Sequence, residues 1–191
     1  MRSTKPKKTV LVIVGMPGAG KSLASSVIKA QGIPVFVSGD IIRAEARKRG
    51  LKFTRKNLGE LMLKIRKEEG MGAVAKRLVP LVEDARGEFV VYEGARSVEE
   101  ADELRRKYDV VTIAIHASPE ARFQRLQRRR RSDKPRGLAD FAERDNRELG
   151  VGIAKLIALA DRTVENEDSK DDLKRRTRRV LRVVLKQKKS S

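Results

Sequence analysis

The chain has 191 residues, with 45 Lys or Arg against 26 Asp or Glu and a formal net charge of +19. It has no cysteine and one histidine, which excludes disulfides, thiolate metal centres and multi-histidine metal sites. At 39% hydrophobic the chain can build a core, yet no apolar run approaches the ~20 residues of a membrane span. The opening MRSTKPKK leads only into TVLVIV, too short for a secretory signal, so a cytoplasmic protein is expected.

The charge is uneven. Residues 1–8 carry four positive charges and no acid, and residues 174–191 carry nine and no acid. Such ends are either solvated tails or contacts to a polyanion such as RNA. The expected organisation is a basic extension over 1–8, one domain over 9–185 and a basic tail over 186–191. Asn (three) and Gln (four) are scarce while Lys, Glu and Arg are plentiful, a balance associated with thermophilic proteins.

In chain order, the first element is an apolar run at 9–14 that reads as a strand covered on both faces. Residues 15–22 follow as GMPGAGKS, then a helix over 22–31 with Leu23, Val27 and Ile28 on one face. The pattern G-x-x-x-x-G-K-S between a strand and a helix is a P-loop. Gly15, Gly18 and Gly20, with Met16, Pro17 and Ala19 between them, let the backbone wrap phosphate oxygens with N–H groups inward. The helix N-terminus adds its dipole. Lys21 is placed to meet the β- and γ-phosphates of ATP, and the Ser22 hydroxyl to ligate Mg²⁺.

A strand at 35–38 ends in Ser38-Gly39-Asp40, with Arg43 one turn on. An acid there lies at the sheet edge where ligands bind in open α/β folds. Asp40 either serves the Mg²⁺ site, accepts a proton from a hydroxyl acceptor, or only caps the next helix. Arg43 suits an acceptor phosphate. The stretch 41–84 is too long for one crossover and is expected to hold two or three helices as an acceptor-binding sub-domain. A strand at 89–92 runs into Glu93-Gly94-Ala95-Arg96-Ser97. A carboxylate after the strand beside the P-loop is placed to organise Mg²⁺ and its waters, and Arg96 to hold an acceptor oxygen pair.

After a strand at 110–115, His116 reads as structural, and Ser118-Pro119-Glu120 as an N-cap, first-turn proline and first-turn acid. Arginines then crowd together at 122, 125, 128–131, 136, 144 and 147. Residues 128–136 break helical periodicity and are expected to form a short lid. Arginines brought by a closing lid stabilise charge on a transferring phosphoryl group. Arg125 and Arg128 before the lid, and Arg144 and Arg147 after it, are the candidates. A strand at 162–165 and a helix over about 170–185 complete an alternation that means an α/β fold with a parallel sheet.

GMPGAGKS, SGDIIRAEARKRG, VVYEGARSVEEADEL and the arginine-rich lid, in this order, resemble the adenylate kinase and nucleoside monophosphate kinase superfamily. The ending IALADRTVENEDSKDDL is similar to dephospho-CoA kinase. Over nearly its full length the chain looks most like an archaeal family related to adenylate kinase, with EGARS-type and HASPEAR-type segments. The resemblance implies a P-loop fold with a five-stranded parallel sheet in order 2-3-1-4-5 and helices on both faces. It implies ATP and Mg²⁺ at 15–22, Asn166 near the adenine, and an acceptor held by Asp40, Arg43, Arg96 and Arg147. Glu93 in place of the usual Asp, Ala95 in place of an aromatic-proline pair, and a lid without cysteines bear on which acceptor is taken. The implied activity is ATP- and Mg²⁺-dependent transfer to a nucleoside monophosphate or dephospho-CoA-like acceptor. Two alternatives stand beside it: an ATPase factor with the same core associated with RNA or ribosomes, motivated by the basic ends, and a nucleotide-binding regulator without turnover.

Overall fold

A run of apolar residues without polar interruption is stable only when both of its faces are covered. Strand β1 (Thr9–Val14) has that environment: all of its residues are buried. In the computed structural model, which describes residues 7–128 and 134–189, Val10, Val12 and Val14 point into one core, and Leu11 and Ile13 into the other. This is the two-residue alternation of a strand. Around β1 a five-stranded sheet runs in the order β2 (Val35–Val37), β3 (Phe89–Glu93), β1, β4 (Asp109–His116), β5 (Arg162–Glu165). Every pairing is parallel, and the order is the one the resemblance implied.

Helices α1 (Lys21–Lys29) and α9 (Lys170–Lys189) cover one face, with Ile28, Leu173, Leu181 and Val184 against Leu11 and Ile13. On the other face lie α2 (Ser38–Lys48), α3 (Arg55–Glu69), α4 (Ala73–Asp84), α5 (Val98–Arg105) and α8 (Ile153–Ala158). The first three of these fill most of 41–84. The helix α2 starts directly from β2, so Ser38 is helical rather than the last strand residue. The Ser118 hydroxyl accepts from Ala121 N–H at 3.3 Å to cap α6 (Pro119–Gln127), as its sequence predicts. Beyond α6 lies α7 (Leu138–Val151). Of the expected lid over 128–136, residues 129–133 lie outside the described residues, as do 1–6 and 190–191 of the basic ends. Among the described residues no helix is long and apolar enough to cross a membrane.

One polar cluster is sealed between the helical layer and the sheet. Glu100 of α5 has no solvent exposure and Arg66 of α3 only 5%. A charge in that position is tolerated only when paired and fully hydrogen-bonded. Arg66 Nη2 donates to Glu100 Oε1 at 2.6 Å and Nη1 to the Met62 carbonyl at 3.3 Å. The Tyr92 hydroxyl of β3 donates to Glu100 Oε2, and Arg96 N–H donates to Oε1 at 3.3 Å. Burial, with the Glu100 charge beside it, pushes the Tyr92 phenol well above its usual value. Glu100→Ala is expected to lower unfolding free energy in denaturant titrations by about 3–5 kcal/mol, because it strands a buried guanidinium. Asp102→Ala, which removes only an exposed pair with Arg105, is expected to stay near wild type.

Candidate functional site

The C-terminal ends of the parallel strands gather the chemistry. After β1, the loop 15–20 turns through glycines with positive φ. A Cβ on Gly18 (φ 85°) would lie 2.8 Å from the Arg122 carbonyl oxygen, and one on Gly20 (φ 110°) 2.4 Å from the Asn166 amide nitrogen. Close approach and backbone sign both demand glycine there. No side chain caps the first turn of α1, so no side-chain acceptor competes there with an anion for the helix N-terminus. Met16 and Ala19 turn into the two cores. Pro17, Gly18, Gly20, Lys21 and Ser22 line a small cavity of about 140 Å³. Lys21 folds back over the loop and donates to the carbonyls of Gly15 at 2.6 Å and Met16 at 3.2 Å.

Ser22 Oγ donates to Glu93 Oε1 at 2.8 Å, so the two proposed metal residues meet as the sequence suggests. A hydroxyl and a carboxylate side by side are hard oxygen donors, the set that suits Mg²⁺. Among the described residues no cluster of three or more His, Cys, Asp or Glu is placed to hold a metal. That is compatible with Mg²⁺, which is commonly held by one or two protein oxygens together with substrate phosphates.

A larger cavity of about 550 Å³ adjoins the loop. Ile42, Phe53, Leu58 and Met62 supply apolar walls, and Arg43, Arg66, Arg96, Arg144 and Arg147 supply charge. Arg96 and Arg144 line both cavities. Arg96 is anchored by Nε to the Gly94 carbonyl at 3.1 Å, and its Nη1 forms an ion pair with Glu148 of α7. Burial pulls its guanidinium below the usual arginine range. Arg147 pairs with Glu143 at 3.2 Å, and Arg43 with Asp40 at 2.5 Å.

Several expected residues sit elsewhere. Asp40 is 64% exposed and absent from the cavity lining, because it leaves α2 on a different side from Gly39 and Ile42; it stands on the rim. Asn166 does reach the P-loop, but its buried amide donates to the Ala19 carbonyl at 2.7 Å, so it braces the loop. Arg125 and Arg128 line neither cavity; Arg128 is the exposed C-cap of α6. His116 is exposed at the end of β4.

Arg122, passed over among its neighbours, is buried and holds the junction. It makes a two-pronged pair with Asp145 of α7 (2.9 and 2.6 Å), donates to the Pro17 carbonyl at 3.2 Å, and lies 5.0 Å above the Phe141 ring. Its spacing four residues before the buried Leu126 was the available signal. Glu148 and Asp145 carried none, since neither belongs to a motif. Arg122→Ala is expected to weaken ATP-analogue binding by roughly 10-fold or more, because the loop carbonyl and Asp145 both lose a charged donor; equilibrium titration with a fluorescent nucleotide measures it.

Residues 14–141 match the family described as an AAA domain. The chain is 39% identical to a UPF0200 protein of Hyperthermus butylicus over 91% of this chain and 94% of that one. It is 41% identical to a UPF0200 protein of Pyrococcus horikoshii over 92% and 97%. Among solved structures, the protein TT1252 from Thermus thermophilus superposes with a TM-score of 0.70 at 20% identity, over 95% of this chain and 98% of that one. A shikimate kinase from Acinetobacter baumannii superposes at 0.56 and 16% identity, covering 95% and 94%. A gluconokinase from Sinorhizobium meliloti gives the same score and identity, covering 95% and 97%. At these identities the likeness is one of fold. With the loop, the sheet order and the curated relatives in agreement, the chain is a P-loop nucleotide-binding domain and belongs to the UPF0200 family.

Proposed function

We propose that the chain is an ATP- and Mg²⁺-dependent phosphotransferase acting on a small phosphate-bearing acceptor, a nucleoside monophosphate or a dephospho-CoA-like nucleotide. The observation that carries this reading is the pair of adjoining cavities sharing Arg96 and Arg144. A donor bound by its phosphates in the loop and an acceptor in the larger cavity would meet at these two guanidiniums, where charge develops during transfer. The kinase names of the structural neighbours support it.

Lys21 would exchange its loop carbonyls for the β- and γ-phosphates. Ser22 and Glu93 would hold Mg²⁺, which neutralises charge on the phosphate oxygens. Arg43 and Arg147 are placed to orient the acceptor's phosphate, and the apolar wall of Ile42, Phe53, Leu58 and Met62 to seat its base. With a nucleoside monophosphate, an acceptor phosphate oxygen attacks the γ-phosphorus; with a dephospho-CoA-like acceptor the nucleophile is a sugar hydroxyl oxygen, whose proton passes to a base or to solvent. In either case the bond to the β–γ bridging oxygen breaks. ADP leaves with the electron pair. An anionic nucleophile needs no strong base, which agrees with Asp40 standing outside the cavity. The test uses γ-labelled ATP with Mg²⁺ and AMP, CMP, UMP, GMP or dephospho-CoA. Label is expected on one of these, with at least about a 100-fold loss in Lys21→Ala. Most of the rate is expected to be kept in Asp40→Asn if the acceptor is a nucleoside monophosphate, and nearly all lost if it is the dephospho-CoA hydroxyl. Label found only as free phosphate removes the transferase reading.

One feature favours the second reading, an ATPase factor that contacts RNA. Arg175, Arg178, Arg179, Arg182 and Lys186 are exposed on one face of α9, a ribbon of about 16 Å at 1.5 Å per residue. Among the described residues Arg178, Arg179 and Arg182 have no carboxylate partner within ion-pair reach. If RNA lies there, changing these three to Gln should weaken binding to a short RNA duplex and flatten the log K against log salt slope by roughly 2–3. Unchanged binding removes this reading.

A further inference from the structure

Arg96 has assigned partners at its backbone, its Nε and its tip. Its N–H is held by Glu100, its Nε by Gly94, and its tip by Glu148. The first two contacts anchor the stem of the side chain. Only the tip is free to change partners when an anion enters. Glu148 lines the acceptor cavity, and the Arg96 and Glu148 side chains are only 22% and 12% exposed. Glu148 does not swing in from a loop: α7 is fastened to the P-loop main chain through Asp145, Arg122 and Pro17.

We infer that Glu148 is a positioning residue that holds Arg96 off the γ-phosphate until an acceptor displaces it, and so restrains ATP hydrolysis while the acceptor cavity is empty. The inference rests on the reading of the two cavities as donor and acceptor sites. A guanidinium already neutralised by a carboxylate adds little to the stabilisation of charge on a transferring phosphoryl group, whereas one preorganised donor is worth about 10²–10³ in rate. In the empty cavity the competing nucleophile is water. Its oxygen attacks the γ-phosphorus, the bond to the bridging oxygen breaks, ADP takes the electron pair, and the proton passes to solvent. An acceptor phosphate carries about −1.5 to −2 charge against the single charge of Glu148, so it wins the guanidinium and arms the site when the productive nucleophile is in place.

The test measures phosphate release from Mg-ATP by the full chain without acceptor. Glu148→Gln, and Glu148→Asp with its shorter reach, are expected to hydrolyse ATP about tenfold faster than wild type. Arg96→Gln is expected to be no faster than wild type, and Glu148→Gln with Arg96→Gln to match Arg96→Gln alone. A merely loosened fold would speed hydrolysis with or without Arg96, so the double variant separates the two causes. If both Glu148 variants fold by circular dichroism, bind Mg-ATP as wild type does and hydrolyse it no faster, the gate is overturned. It is also overturned if the double variant stays as fast as Glu148→Gln. Should Glu148→Gln not fold, Glu148→Asp decides. The acceptor reading fails on a different result, an acceptor panel in which nothing takes label.

Discussion

Glu100 is a carboxylate with no water to solvate it, and much of the molecule is arranged around that fact. A buried charge persists only when protein donors replace the lost solvation. The donors come from three places: Arg66 on α3, the Tyr92 hydroxyl on β3, and the Arg96 backbone in the loop after β3. One charge therefore sets where the helical sub-domain stands against the sheet and where the Arg96 loop begins. The wall of the larger cavity that Arg66 provides is correspondingly rigid, since moving it would expose a naked carboxylate.

A second junction performs the same service on the other side of the site. Arg122 ties the main chain of the phosphate loop to α7, and only the missing side chain of Gly18 allows α6 to come so near. The helix α7 carries Arg144, Arg147 and Glu148 into the larger cavity. The phosphate loop and the wall of the larger cavity are thus parts of one frame.

Guanidiniums crowded into a cavity repel one another, and each disfavours the charge of its neighbours. The fold answers with carboxylates on nearly the same scale: Asp40 for Arg43, Glu100 for Arg66, Glu148 for Arg96, Glu143 for Arg147. These partners differ in kind. The Arg66–Glu100 pair is sealed and structural. In the other three the guanidinium lines the larger cavity, and of their carboxylates only Glu148 lines it too. Nine positive charges and no acid lie over 174–191, away from this site, so the net charge of +19 says little about the cavity.

The strands and the phosphate loop were legible in the amino-acid sequence because each depends on residues adjacent in the chain, whereas the order of the strands was expected only from the family resemblance. Continuous apolar runs make buried strands, and GMPGAGKS places its glycines, Lys21 and Ser22 by local backbone geometry alone. Ser22 meets Glu93 because α1 begins just beyond β1 and Glu93 ends β3, the parallel neighbour of β1. Arg122 stood out only as one of a crowd of arginines, and spacing along the chain cannot say which charge meets which. That was decided by contacts 34 residues apart between Arg66 and Glu100 and 105 apart between Arg122 and Pro17. The rim position of Asp40, the bracing role of Asn166 and the hold of Glu148 on Arg96 are of the same kind. Each depends on how a helix is rotated and seated once the core has packed, which is a property of the whole chain.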